Sequence, residues 1–130
     1  AEAVLEKLSP HWPGIAAKKG WTGKAPLPGG DFPTDGRAAL ETEFRRDHPF
    51  LDAKLARRLA RSYGTEARRF LAEARSSEDL GRWFGPLSEA EIGHLREREW
   101  AMTAEDILWR RSKLGLHLSR DEQAALSAWL

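Results

Sequence analysis

Leu51-Asp52-Ala53-Lys54-Leu55-Ala56-Arg57-Arg58-Leu59-Ala60-Arg61-Ser62-Tyr63-Gly64-Thr65 is the stretch from which the fold is read. Leu51, Leu55, Leu59 and Tyr63 return every four residues, so a helix beginning near Phe50 turns them toward one side and its charges toward the other. Gly64 ends that helix, because glycine enters the left-handed conformation of helix termini without steric cost. Thr65 then offers an N-cap to a second amphipathic helix carrying Ala67, Phe70, Leu71 and Ala74.

The pattern extends in both directions. Upstream, Asp35 is placed to cap a helix running to about His48, and Pro49 stands where that helix would stop. Downstream, Ser88 with Glu91, Thr103 with Asp106, and Ser119 with Glu122 each show the three-residue spacing of a capping box, which predicts three more helices. No stretch alternates as a strand would, and no repeat or low-complexity run occurs. An all-α fold follows: a single helical domain of about five to seven helices over residues 37–130.

Residues 1–36 differ. Ala3, Val4, Leu5 and Leu8 read as the end of a linking helix, and the chain's start inside such a pattern suggests a piece of something longer. Beyond it lie five of the seven prolines and, up to residue 36, six of the eleven glycines, which interrupt any long helix. Trp12, Trp21 and Phe32 are expected to clamp this irregular arm onto the helical core. A second reading makes Pro26-Leu27-Pro28-Gly29-Gly30-Asp31 a ligand loop, since Gly-Gly lets backbone donors approach an anion.

Charge and composition exclude several functions. The 21 Lys and Arg nearly balance the 20 Asp and Glu over 130 residues, for a net charge of +1, which gives no overall attraction to a polyanion, and no nucleic-acid partner is expected. With no cysteine there is no disulfide or thiolate, which suits a reducing compartment, and cytosol is the default. No apolar run approaches the ~18 residues a spanning helix needs. The four histidines, His11, His48, His94 and His117, fall in separate segments, so no metal site is expected. His94 and Glu97 read as a solvated pair. No nucleophile elbow, P-loop or dinucleotide-binding turn is present, so no catalytic or cofactor-binding residue is assigned.

Two charges sit on apolar helix faces. Helical wheels place Glu99 between Ile92 and Leu95, and Arg111 among Ala104, Ile107 and Leu108, which predicts a structural Glu99–Arg111 ion pair on successive helices. Arg110 and Lys113, with Trp100 and Trp109, are candidates for contact with a neighbouring domain. Lys54, Arg57, Arg58 and Arg61 fall within about a 100° arc of one helix, a basic stripe that Arg68, Arg69 and Arg75 continue and that could bind an anionic surface.

The stretch Glu99-Trp100-Ala101-Met102-Thr103-Ala104-Glu105-Asp106-Ile107-Leu108-Trp109-Arg110-Arg111-Ser112-Lys113-Leu114-Gly115-Leu116 resembles the signature near the end of the flavin-dependent, aerobic glycerol-3-phosphate dehydrogenases. Leu27-Pro28-Gly29-Gly30-Asp31, Leu59-Ala60-Arg61-Ser62-Tyr63-Gly64 and the closing Leu118 to Leu130 segment are similar to the same C-terminal region, in the same order. Ala1-Glu2-Ala3-Val4-Leu5 resembles the last turns of the helix leaving that family's flavin domain.

The resemblance implies a parent enzyme that oxidises sn-glycerol 3-phosphate to dihydroxyacetone phosphate, passing a hydride to FAD and electrons to quinone at the cytoplasmic face of the bacterial inner membrane. FAD and substrate would be held by an N-terminal FAD-binding domain of the same polypeptide, the partner of this one. The fragment itself would carry no cofactor, be inactive alone, and act as a helical cap that stabilises its partner, shapes a dimer or adds basic surface near lipid. Ser119 to Leu130 lacks an Asp-rich calcium loop, so calcium regulation is not expected. The competing reading is a freestanding binding module that uses the Lys54 to Arg75 stripe against an acidic partner. An exposed apolar docking patch would favour the cap, and a surface of charge alone the module.

Overall fold

The computed structural model describes residues 2–12, 14 and 21–130. Among these, six α-helices run in the order α1 (Glu2–Leu8), α2 (Arg37–Asp47), α3 (Ala53–Tyr63), α4 (Ala67–Leu71), α5 (Glu89–Glu99) and α6 (Arg120–Trp129). The fold is all-α. Short 3-10 turns at Gly64–Glu66, Glu78–Leu80 and Leu114–Leu116 join them, and Asp106–Arg111 winds as a π-helix.

The capping predictions meet different fates. Ser119 and Glu122 form the full reciprocal box at the start of α6, and Thr103 and Asp106 exchange the same pair of bonds before the π segment. Asp35 caps nothing: Gly36 is the N-cap of α2 and no side chain bonds there. The Gly36 amide instead closes a turn on the Pro33 carbonyl at 2.7 Å. Asp52 caps α3 through the Leu55 amide at 2.7 Å. Thr65 does not cap α4, because its hydroxyl donates to Asp31 in the preceding arm.

The core runs through every helix from α2 onward. Leu40 and Phe44 of α2, Leu59 and Tyr63 of α3, Leu71 of α4, Ile92 and Leu95 of α5, Ile107 of the π segment and Leu126 of α6 are buried in one cluster. Leu51 joins them, while Leu55 is only half-buried. Helix α2 lies on α3, and α4 on α5. A minimal antiparallel hairpin, β1 (Trp83–Phe84) and β2 (Leu87–Ser88), pairs Trp83 with Ser88 and Phe84 with Leu87, and its Phe84 meets Trp129 of α6 at 5.5 Å. Two-residue strands are too short to show alternation in sequence.

The arm reaches this core at few points. Phe32 packs on it, but Trp12 and Trp21 are about two-thirds exposed at 66% and 69%, so among the three aromatics expected to clamp the arm Phe32 does so. Gly29 of the Pro26 to Asp31 stretch serves close packing. A Cβ on Gly29 would stand 2.1 Å from the Tyr63 carbonyl oxygen, and one on Gly64 1.8 Å from that of Gly29. Both glycines have positive φ, and the Thr65 amide bonds the Gly29 carbonyl at 3.1 Å. Two backbones thus touch at the end of α3, which only glycine permits.

Candidate functional site

A buried carboxylate, Glu91, and a partly buried arginine, Arg58, form the central charged pair of this domain. Glu91 is 1% exposed. Its two oxygens accept from Arg58 Nη1 at 2.5 Å and Nη2 at 2.7 Å, and Oε1 also accepts from the Tyr63 hydroxyl at 2.6 Å. Arg58 Nη2 further donates to the Pro86 carbonyl at 2.8 Å. One two-pronged pair therefore ties α3, α5 and the hairpin turn together.

The electrostatics follow from burial. Desolvation opposes the Arg58 charge, but the Glu91 carboxylate more than offsets it and holds the guanidinium above its ordinary pKa. Burial, with the Glu91 charge adding to it, pushes the Tyr63 phenol upward, so it stays a hydrogen donor. The rings of Phe70 and His94 stand edge-on to Tyr63 at 5.2 and 5.5 Å. His94 is buried, which corrects the solvated pairing expected with Glu97. A wheel shows which face a residue takes, and α4 folding over α5 covers that face.

This arrangement corrects three readings. The Ser88 hydroxyl accepts from the Glu91 amide at 3.2 Å, but the Glu91 side chain leaves the capping box for Arg58. The basic stripe loses Arg58 to its pair with buried Glu91, and Arg57 faces Glu41 at 3.5 Å. Lys54, Arg61 and Arg75 stay exposed without an ion-pair partner among the described residues, while Arg68 pairs with Glu43 and Arg69 with Glu66, each at 2.6 Å. A continuous cationic face does not form. The Glu99–Arg111 pair is also not made: Glu99 is half-buried, Arg111 is exposed and no ion pair joins them. The Ser112 amide bonds the Ile107 carbonyl at 3.0 Å, the i→i−5 step of a π-helix. More residues per turn rotate Arg111 away from the face a 3.6-residue wheel gives it.

The residues proposed for contact with a neighbour fall on one segment. Trp100 ends α5 in the left-handed region, φ 57° and ψ 32°, and is 80% exposed. Met102 and Leu116 are exposed, and Trp109 partly so. Arg110 bonds Asp106 at 2.8 Å and faces Glu105 at 3.6 Å. Lys113, also left-handed, donates to the Trp109 carbonyl. Beside Trp109 an open groove of about 490 Å³ is lined by Ala104, Glu105, Leu108, Gln123, Ala124 and Ser127. A second groove of about 550 Å³ lies over Phe70, Gly93 and His94. Among the described residues, neither groove opens beside a strand followed by a glycine-rich turn and helix.

A family model described as the C-terminal domain of alpha-glycerophosphate oxidase matches residues 21–129. The chain belongs to this family. Aerobic glycerol-3-phosphate dehydrogenase of Escherichia coli (strain K12) is 43% identical over 131 aligned residues, which cover 100% of this chain and 26% of that protein. Glycerol-3-phosphate dehydrogenase of Pseudomonas aeruginosa is likewise 43% identical, across 100% of the chain and 25% of its own length. D-erythritol 1-phosphate dehydrogenase of Brucella abortus (strain 2308) is 38% identical across 99% of the chain and 26% of its length. The domain thus spans about a quarter of each of these relatives, as a C-terminal part does.

Proposed function

We propose that this chain is the C-terminal helical cap of a flavin-dependent glycerol-3-phosphate dehydrogenase, with a structural role in that enzyme. The observation that carries the reading is the 43% identity, along the whole chain, to two glycerol-3-phosphate dehydrogenases. The parent oxidises sn-glycerol 3-phosphate to dihydroxyacetone phosphate, and FAD and substrate are held in the preceding N-terminal portion. When bound, the flavin supplies hydride acceptance and passes electrons on to quinone. The cap's part is to stabilise that portion, its rigidity coming from the Arg58–Glu91 tie. The parent works at the cytoplasmic face of the bacterial inner membrane, and shaping a dimer is a further role open to the cap.

The test is made on the full-length polypeptide. It is expected to purify with FAD, to reduce a quinone analogue when given glycerol 3-phosphate, and to sediment with membranes at low salt. The same protein truncated before residue 37 is expected to lose bound FAD or activity. A preference for D-erythritol 1-phosphate, suggested by the Brucella relative, would replace the substrate. A protein indifferent to both polyol phosphates would remove the enzyme reading.

A further inference from the structure

Helices α4 and α5 leave between them a groove of about 550 Å³, a size that seats small molecules. His94 is the informative residue there. It is 8% exposed, as His48 is. The His48 Nδ1 meets the Ala74 carbonyl at 2.9 Å, whereas the His94 imidazole has no hydrogen-bond partner among the described residues. The sealed side-chain nitrogen that lacks a partner among them is Arg58 Nε, so the His94 nitrogens open onto the groove that this residue lines. A buried polar group without a partner costs free energy that a ligand's hydrogen bond recovers. The ring is also held in place, edge-on to Tyr63 at 5.5 Å and tilted on Phe70 at 5.2 Å.

The rest of the lining divides by chemistry. A Cβ on Gly93 would meet nothing within 4 Å, so a flat ring has room to lie on the α5 backbone beside the half-buried Phe70. Arg98 follows His94 by four residues on α5 and stands over it. It is exposed and makes no ion pair among the described residues. From α4, Arg69 holds Glu66 through Nε at 2.6 Å and keeps its two Nη groups for an anion. Glu97 follows Gly93 by four residues and is turned about 100° from Arg98, where its carboxylate can accept from an N–H donor. The groove thus offers two guanidiniums and an imidazole nitrogen, a flat floor, and a separate carboxylate.

We propose that this groove binds a nucleoside monophosphate whose base carries an amino group. The phosphate is taken by Arg98, Arg69 and the His94 N–H, the base lies on Gly93 and Phe70, and its exocyclic amine donates to Glu97. A bare inorganic anion leaves the floor and Glu97 unused, and a neutral aromatic leaves the guanidiniums unpaired. A ligand with all three parts is the one that satisfies every group in the lining. Occupation adds a binding role to a domain whose part in its parent is otherwise structural.

Equilibrium dialysis of radiolabelled AMP against the full-length polypeptide tests this. Saturable binding is expected, with adenosine and inorganic phosphate each weaker by about tenfold or more, since one lacks the charge-assisted bonds and the other the stacked ring. Gly93→Met lays a side chain along the floor, at a helix position with room for its Cβ, and should abolish AMP binding. Arg98→Gln, at an exposed position, should weaken AMP by about tenfold and leave adenosine unchanged. Helical circular dichroism retained at the assay temperature shows that both variants are folded. No saturable AMP binding would overturn the proposal. So would binding that survives Gly93→Met, which means a nucleotide site elsewhere in the polypeptide, or inorganic phosphate binding as tightly as AMP, which means a plain anion site.

Discussion

Arg58 and Glu91 meet through two parallel hydrogen bonds of 2.5 and 2.7 Å, joining the middle of α3 to the first turn of α5 across 33 residues of chain. Removing one partner strands a desolvated charge, so Glu91→Ala is expected to destabilise the domain by about 3–5 kcal/mol. Glu43→Ala, which breaks the exposed pair with Arg68, should cost no more than about 1 kcal/mol. Urea denaturation of the variants measures both, and equal costs would remove the Arg58–Glu91 tie as a stabilising element.

The close approach of Gly29 and Gly64 makes a second contrast. Gly64→Ala puts a Cβ against the Gly29 carbonyl at a positive φ, with an expected loss of about 1–3 kcal/mol and release of the arm. Gly93→Ala, in the interior of α5 with nothing within 4 Å of the new methyl, should instead stabilise by about 0.5–1 kcal/mol. Thermal melting gives the signs, and proteolysis of the arm reports its release.

Trp100 carries backbone strain at the end of α5. Trp100→Gly relieves it and is expected to stabilise the domain by up to about 1 kcal/mol. An unchanged or lowered melting temperature would mean that the indole contributes contacts within the domain that outweigh the strain.

Several acids at helix starts titrate low. The Thr103 hydroxyl, then the Thr103 and Met102 amides, hold Asp106 below the ordinary aspartate value of 3.8. The Ser119 amide and hydroxyl hold Glu122 below the ordinary glutamate value of 4.5. A carboxyl with a lowered folded-state pKa stabilises the fold above its unfolded pKa and loses that contribution as pH falls through the folded one. Stability is therefore expected to be level above about pH 5 and to drop below pH 4. Asp106→Asn and Glu122→Gln should flatten the drop in pH-dependent melting curves.

Local chemistry in the sequence determined the elements. The four-residue return of Leu55, Leu59 and Tyr63, the stop at Gly64 and the Ser119–Glu122 box act within a turn or two of the backbone, so they can be read without knowing what lies across the core, whereas Leu51, expected on the same helix, precedes the Asp52 cap. The family signature from Glu99 to Leu116 was likewise legible, because it is a linear pattern. Tertiary structure decided everything that depends on which face meets which. Glu91 is three residues from a helix cap in both its possible roles, and only the position of α3 sends its carboxylate to Arg58. Arg111 left its predicted partner because a π-helical turn, set by the Ser112 and Ile107 bond, changes the wheel beneath it. His94 is buried because Tyr63 and Phe70 arrive from other helices. Hydrogen bonds along a helix are local, whereas the burial that makes a charge costly or a tryptophan exposed is a property of the assembled surface.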